Sequence, residues 1–343
     1  MQRGGGGLRA MAEGPAGALG RAAREAAGGG AGGVPPGGGG GRGARPLAVM
    51  WAVLDELHAE HCAAEEAEAA GEPRRAVAVP ERDLYYRLKS RGAARNCAEV
   101  TRAVARAGTL LGARREDLGV VSSGGKGEVA GSIRIWAGAS WHDCRAQGRF
   151  SVPGDPRAVA DFRFQTSARF ILVVEKETVF TRLLGERLDA LVPVVLVTAR
   201  GFPDVSTRTL LHHMAAAFPH LPVVGLADWN PHGVAIMSLY KFGYVKTVAS
   251  EYSEEVAVPR MAWLGLHNKD LPASCPAEEF TPRDRALANT LLTASPAAEL
   301  PAWALEVRAM ASGAGRKVDI EGLYAHEQLA PLLMLKLLEG YWV

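Results

Sequence analysis

A chain of 343 residues has room for two domains of ordinary size, and 48% hydrophobic with 22% charged residues is a globular composition. Lys and Arg number 39 against 37 Asp and Glu, a net charge of +2 that neither declares nor excludes a nucleic-acid partner, because a local patch matters more than the total. No run approaches the ~18–20 apolar residues of a membrane helix, and the four cysteines (Cys62, Cys97, Cys144, Cys275) include no CxxC pair, which argues against a disulfide scaffold and a structural zinc site.

Residues 1–46 hold 18 of the 40 glycines, six arginines and two acids. Gly and Ala bury too little apolar surface to offset the entropy of ordering, so a disordered tail of charge +4 is expected, leaving −2 to the body. The tail lacks the serines of a transit peptide (the first Ser or Thr is Ser90) and the apolar core of a secretion signal. Residues 47–70 contain no Gly or Pro and predict a long helix, with Leu47, Met50, Trp51, Leu54, His58 and His61 on one face and Gly71 and Pro73 ending it.

Glu81 to Ser90 reads as a short helix carrying an aromatic pair. Arg95 to Leu111 reads as a second, with Val100, Val104 and Ala107 inside and Arg95, Arg102 and Arg106 outside. Leu118–Val121 and Glu128–Ile135 then read as strands joined by a tight turn at Gly124-Gly-Lys126-Gly127. Two helices and a glycine-tipped hairpin are the layout of a winged helix, a relative of the helix-turn-helix modules that place one helix in the DNA major groove. Residues 138–168, rich in Gly and Pro, read as an interdomain linker.

From 169 onward strands and helices alternate. Phe170–Val174, Val192–Val197 and Val223–Ala227 are short apolar runs of the buried parallel kind, with helices expected over 177–190, 205–217 and 231–242. Three such units imply a parallel sheet with helices on its faces. The last hundred residues read as mixed and mostly helical.

Ligands of open α/β sheets bind at the carboxyl ends of the strands. The first run ends in Glu175 and the third in Asp228-Trp-Asn230-Pro-His232-Gly233. Glu175, Asp228 and the amide oxygen of Asn230 suit a hard cation such as Mg2+; the plainer alternative is that strand-end acids cap the next helix. The middle run leads into Arg200-Gly201-Phe-Pro-Asp204, where a glycine turn before a helix can offer N–H groups to a phosphate, with Arg200 and Arg208 adding charge. His232 reads as a helix cap rather than a ligand, and His142 with Cys144 lacks partners for a metal. In Arg82-Asp-Leu-Tyr85-Tyr86 the arginine can stabilise charge on a phosphate and lower a tyrosine pKa from ~10, although such a pair is commonly a core feature.

In this order the blocks resemble one family. Arg82-Asp-Leu-Tyr-Tyr86, Leu118-Gly-Val-Val through Lys126-Gly127 to Gly131, Val174-Glu-Lys-Glu-Thr-Val-Phe180, Gly201-Phe-Pro-Asp204, Asp228-Trp-Asn-Pro-His-Gly233 and Tyr240-Lys-Phe-Gly243 are similar to motifs of the A subunit of topoisomerase VI and its meiotic relatives, the sporulation-type proteins that make double-strand breaks. The resemblance covers about residues 75–250 with ordered motifs. It implies a mixed α/β multidomain chain: a winged-helix (CAP-like) DNA-binding domain over 47–137, then a Toprim α/β domain with a parallel sheet over 169–343.

The resemblance also implies roles. Tyr86 would attack a phosphate of double-stranded DNA, forming a 5′-phosphotyrosyl link and leaving a 3′-hydroxyl; Arg82 would assist electrostatically. Glu175, Asp228 and Asn230 would hold Mg2+. The tyrosine of one protomer works with the metal site of the other, so a homodimer, or a heterodimer with a paralogue, is implied. No Walker motif is present, so an ATP-using, topoisomerase VI B-like (GHKL ATPase-type) subunit would be supplied separately, with the nucleus and its chromosomes as the place of action. Arg95, Arg102, Lys126, Arg200 and Arg208 are the candidate DNA contacts. One departure stands out: the family usually has Asp-x-Asp where this chain has Asp228-Trp-Asn230, a form closer to plant-type meiotic members. The expected activity is a meiotic break-forming transesterase. The alternatives are a catalytically weak DNA-binding paralogue, suggested by Asn230, and the DNA-cleaving component of a topoisomerase that religates.

Overall fold

The first helix, α1 (Ala44–Ala69), runs where the breaker-free sequence requires it, and Gly71 (φ 92°) and Pro73 follow its end. The computed structural model describes residues 44–73, 77–121, 124–245, 256–271, 276, 278–312, 316–323 and 329–343. Residues 1–43 of the glycine-rich tail and Cys275 lie outside the described residues, and residues 44–46, expected as the end of that tail, begin α1. The chain divides into two compact units after residue 123.

In the first unit α1 is followed by β1 (Val79–Pro80), α2 (Glu81–Ser90), α3 (Cys97–Leu111) and β2 (Val120–Val121). Acids in the first turn of α2 and Arg87 and Lys89 in its last turn complement the helix dipole. Asn96 opens α3 by accepting the Glu99 N–H at 3.0 Å, and Gly112 closes it in the left-handed region. The inward stripe of α1 is Val49, Met50, Val53, Leu54 and Leu57, which packs with Leu84, Leu88, Val100 and Val104. It is rotated from the expected face: Leu47 is exposed and His58 and His61 are half-buried. The flanking Val49, Val53 and Leu57 carry more apolar surface than two imidazoles and set the helix orientation.

The second unit starts with β3 (Glu128–Gly131), β4 (Ile133–Trp136), β5 (Trp141–Asp143), β6 (Phe150–Ser151), α4 (Pro156–Ala160) and β7 (Arg163–Thr166). It continues through β8 (Phe170–Val174), α5 (Glu177–Gly185), α6 (Leu188–Leu191), β9 (Val194–Thr198), α7 (Val205–Ala217), β10 (Val223–Leu226), α8 (Pro231–Phe242) and β11 (Ala262–Gly265). Helices α9 (Pro282–Ala294), α10 (Pro301–Ala311) and α11 (Leu329–Glu339) complete it. The six-stranded sheet has the order β11-β10-β8-β9-β3-β6; β8 to β11 are parallel, and β3 runs antiparallel to β9 and β6. Every residue of β8, β9 and β10 is buried, as continuous Val/Leu/Ile runs demand when helices cover both faces. Among the described residues no helix is long and apolar enough to cross a membrane.

Three expectations change. The hairpin across Gly124–Gly127 does not form: β2 pairs in parallel with β1, while β3 pairs with β9 and β6. The glycines serve close packing instead, since a Cβ at Gly125 would collide with the Val152 carbonyl and one at Gly127 with the Thr207 hydroxyl. Residues 138–168 are not a linker: β5 and β7 flank β4 in a three-stranded antiparallel sheet, and β6 is an edge of the main sheet. The helix expected over 177–190 breaks into α5 and α6 at Arg187, which takes a left-handed φ of 55°.

Candidate active site

Strands β8 and β10 are hydrogen-bonded neighbours with Val174 opposite Leu226, so the residues just beyond their carboxyl ends must meet. The chain passes from β8 to β9 on one side and then to β10 on the other, a switch point of the kind that opens a ligand crevice in α/β sheets. There the Asp228 N–H donates to Glu175 Oε2 at 3.0 Å. Gly233, in the first turn of α8, lets the helix start approach this pair; a Cβ would press on the Asp228 carbonyl and on Glu175 Oε2. Glu175 is 9% exposed and Asp228 2%. Burial, with the Asp228 charge beside it, pushes the Glu175 carboxyl up to about 7. Burial also raises Asp228, with the Lys176 ammonium opposing the rise.

Both Asp228 oxygens have partners. Oδ1 accepts the Ile320 N–H at 2.8 Å and Oδ2 faces the Lys176 ammonium at 2.8 Å. The same ammonium lies 3.2 Å from Asp319 Oδ2 and 2.9 Å from Glu321 Oε2, and Thr178 Oγ1 donates to Glu321 Oε1 at 2.8 Å. A bridge between Trp229 and Val318, with the Trp229 N–H donating to the Val318 carbonyl at 2.9 Å, brings this segment alongside the strand ends. The buried Trp229 indole donates to Glu306 Oε2 at 2.6 Å and anchors the loop from the other side. Lys176 neighbours Glu175 in the Val-Glu-Lys-Glu run, which is a signal of sorts; nothing local marks Asp319 or Glu321, which arrive from 145 residues away in the case of the Lys176–Glu321 pair.

Asn230 takes a different role from the expected ligand. Its Oδ1 accepts the Gly233 N–H at 2.9 Å and caps α8. His232 is therefore not the cap; its Nδ1 lies 3.5 Å from Asp284 Oδ1. Arg208, expected to contact DNA, is 7% exposed and its Nη1 donates to the Gly243 carbonyl at 3.0 Å, because residues 206–208 lie on the inward side of α7. The N-terminus of α7 holds no open phosphate cradle. Asp204 accepts the Thr207 N–H at 2.9 Å and the Lys126 N–H at 2.9 Å, so a carboxylate of the chain already satisfies it. Arg200 sits at φ 56° beside the site and pairs with Glu128 Oε1 at 2.6 Å and Glu177 Oε2 at 3.2 Å. The Lys126 side chain is exposed. Burial pushes the Cys144 thiol up to about 12, so it offers no thiolate.

In the first unit, Leu84 and Leu88 turn α2 inward and leave Arg82 and Tyr86, one turn apart, on the exposed side. Tyr86 is 54% exposed. Its ring lies 5.2 Å from that of Tyr85, whose hydroxyl donates to the Arg95 carbonyl at 3.4 Å. Tyr85 thus braces the α2–α3 connection while Tyr86 stays accessible. Arg95 and Arg102 are exposed.

Carboxylate oxygens are the donors a hard divalent cation takes, and the Asp228 charge beside the buried Glu175 opposes its ionisation, which a cation would relieve. Among the described residues no three His, Cys, Asp or Glu side chains already stand in a metal-holding cluster, and the Lys176 ammonium lies against Asp228 Oδ2.

Residues 170–331 match the family model for the Toprim domain of the topoisomerase 6 A subunit/Spo11 group, a stretch that holds the parallel strands β8 to β11 and the acids at their switch point. The chain belongs to the family that joins the Spo11 proteins with the topoisomerase VI A subunit. It is 33% identical over 275 residues to Meiotic recombination protein SPO11-2 of Arabidopsis thaliana, covering 77% of this chain and 70% of that relative. It is 34% identical over 252 residues to Meiotic recombination protein SPO11-1 of Oryza sativa subsp. indica, covering 71% and 64%. To the DNA topoisomerase 6 A subunit of Arabidopsis thaliana it is 31% identical over 244 residues, covering 68% and 55%.

Proposed function

We propose that this chain is a DNA-cleaving transesterase of meiotic recombination. The observation that carries the reading is the meeting of Glu175 and Asp228 at the ends of adjacent parallel strands, in a family member whose first unit presents an accessible Tyr86. The Tyr86 oxygen attacks a backbone phosphorus of double-stranded DNA. A new P–O bond forms to the tyrosine, the P–O bond to the 3′ oxygen breaks, and the phenolic proton is balanced by the proton taken up at the 3′-hydroxyl. The phosphodiester energy is kept in a 5′-phosphotyrosyl link.

Arg82, on the same side of α2, stabilises the charge gathering on the phosphate. Glu175 and Asp228 would hold Mg2+, which when bound offsets negative charge on the phosphate. Asn230 orients α8 and its loop. Arg95, Arg102, Lys126 and Arg200 hold the DNA backbone through phosphates; Arg200 must first leave Glu128 and Glu177. Tyr86 and the carboxylates belong to different units, and the working pair forms between protomers of a homodimer or of a heterodimer with a paralogue. An ATP-using partner of the topoisomerase VI B type works with it on chromosomes in the nucleus.

The test is covalent capture. The chain and its candidate B-like partner are incubated with DNA and Mg2+ and denatured, and DNA-linked protein is measured. Wild type is expected to yield linked DNA, and Tyr86→Phe none, with DNA binding kept within severalfold. Linkage that survives in Tyr86→Phe would reject the nucleophile assignment. Relaxation of supercoiled DNA on adding ATP would instead favour the religating topoisomerase reading, which the similarity to the DNA topoisomerase 6 A subunit supports. DNA binding without linkage under any metal or partner condition would favour the weak paralogue.

A further inference from the structure

We propose that Lys176 is a resident counter-cation of the acidic site that competes with a divalent metal for Asp228, and that the Asp319–Glu321 segment is the seat to which it retreats. The inference rests on the reading of Glu175 and Asp228 as metal ligands. Its basis is the arrangement of four charged groups on three segments. The Lys176 ammonium is within 3.2 Å of Asp228, Asp319 and Glu321 at once. Asp228 Oδ1 is taken by the Ile320 N–H, so Oδ2, the oxygen that holds Lys176, is the one left for a metal.

A divalent ion binds a carboxylate oxygen at ~2.0–2.1 Å if it is Mg2+, and an ammonium on that same oxygen is then a like charge at close quarters. Both cannot hold Oδ2 well. Lys176 can yield because it is only partly buried, and the acids that receive it lie at the solvent side. Glu321 is already fixed by Thr178 and needs no rearrangement to keep the ammonium. Without metal, Lys176 offsets the cost of packing two carboxylates together in a buried site.

Mn2+ alone, titrated into the full chain and followed by the loss of its free-ion paramagnetic resonance signal, reads the competition without any turnover. Lys176→Gln is expected to bind Mn2+ roughly tenfold tighter than wild type, since removing a neighbouring positive charge favours the ion. It is also expected to melt lower without metal and to gain more on adding it. Glu321→Gln is expected to bind more weakly, and this loss should vanish in the Lys176→Gln background if Glu321 acts through the ammonium. Lys176→Gln with unchanged or weaker affinity would overturn the proposal and leave Lys176 a tether for the 316–323 segment. Should Lys176→Gln fold poorly, a Glu321→Gln loss that does not depend on Lys176 in the Lys176→Met background would overturn it equally. Asp228→Asn keeps the two failures apart. If neither wild type nor Lys176→Gln binds Mn2+ in an Asp228-dependent way, the metal-site reading itself falls, and this inference with it.

Discussion

Asn230 shows how one side chain can satisfy a sequence pattern by a role other than the one the pattern suggests. In Asp-x-Asn it reads as a third oxygen ligand, yet its Oδ1 holds the Gly233 N–H and starts α8. Asn and Asp are close to equal as N-caps, and Ala is far worse, by about 1 kcal/mol. Asn230→Ala should therefore lower unfolding stability by about 0.5–2 kcal/mol in urea, while Asn230→Asp stays near wild type. An Ala variant as stable as wild type would show that the cap contributes nothing. Arg208 makes the same point from the other side. Its position on a helix start rich in Arg and Thr suggests a phosphate contact, but burial and the Gly243 carbonyl claim it. Tyr86 differs because α2 turns on Leu84 and Leu88, a period visible in ten residues.

Among elements, the connection between β11 and α11 carries a charged clasp that no local pattern announces. Asp270, in the short helical turn after β11, meets the Lys336 ammonium from α11 at 2.5 Å and accepts the His267 N–H at 3.0 Å. Burial works to raise its pKa, but the adjacent His267 and Lys336 outweigh it and hold the carboxyl below the ordinary range. The folded state thus favours the charged form. Its stabilisation is present above the unfolded value of ~3.9 and is lost as pH falls below that toward the folded value. Asp270→Asn should cost about 1–3 kcal/mol at pH 7 and make the protein less sensitive to acidification to about pH 3 than wild type. Denaturant melts at the two pH values decide it; equal acid sensitivity in both proteins would assign the clasp no role.

For the molecule as a whole, the division after residue 123 sets where the chain can be cut. Each unit has its own core, one around α1 to α3 and one around the six-stranded sheet. A fragment of residues 124–343 should unfold cooperatively. A fragment beginning at 169, where the alternating pattern starts, loses β3 and β6 and leaves β9 an unpaired edge, a template for aggregation. It should be insoluble or non-cooperative by circular dichroism. A soluble, cooperative 169–343 fragment would mean that β3 is dispensable to the sheet.

The features readable in the primary structure are those whose cause lies within a few residues. The apolar runs of β8, β9 and β10 imply buried parallel strands, and ligands of such sheets gather at their ends, so Glu175 and Asp228 stand out without coordinates. The Arg82 to Tyr86 turn and the ordered family blocks belong to the same class. The pairing of β3 with β9, the cradle of Asp319 and Glu321 around Lys176, and the burial of Arg208 depend on segments distant in the chain that come together only when the core closes. Such contacts are chosen by the surface that must be buried and by the polar groups that must find partners there. Periodicity within one segment carries no record of them, and the charge at the candidate metal site is therefore a property of the folded chain.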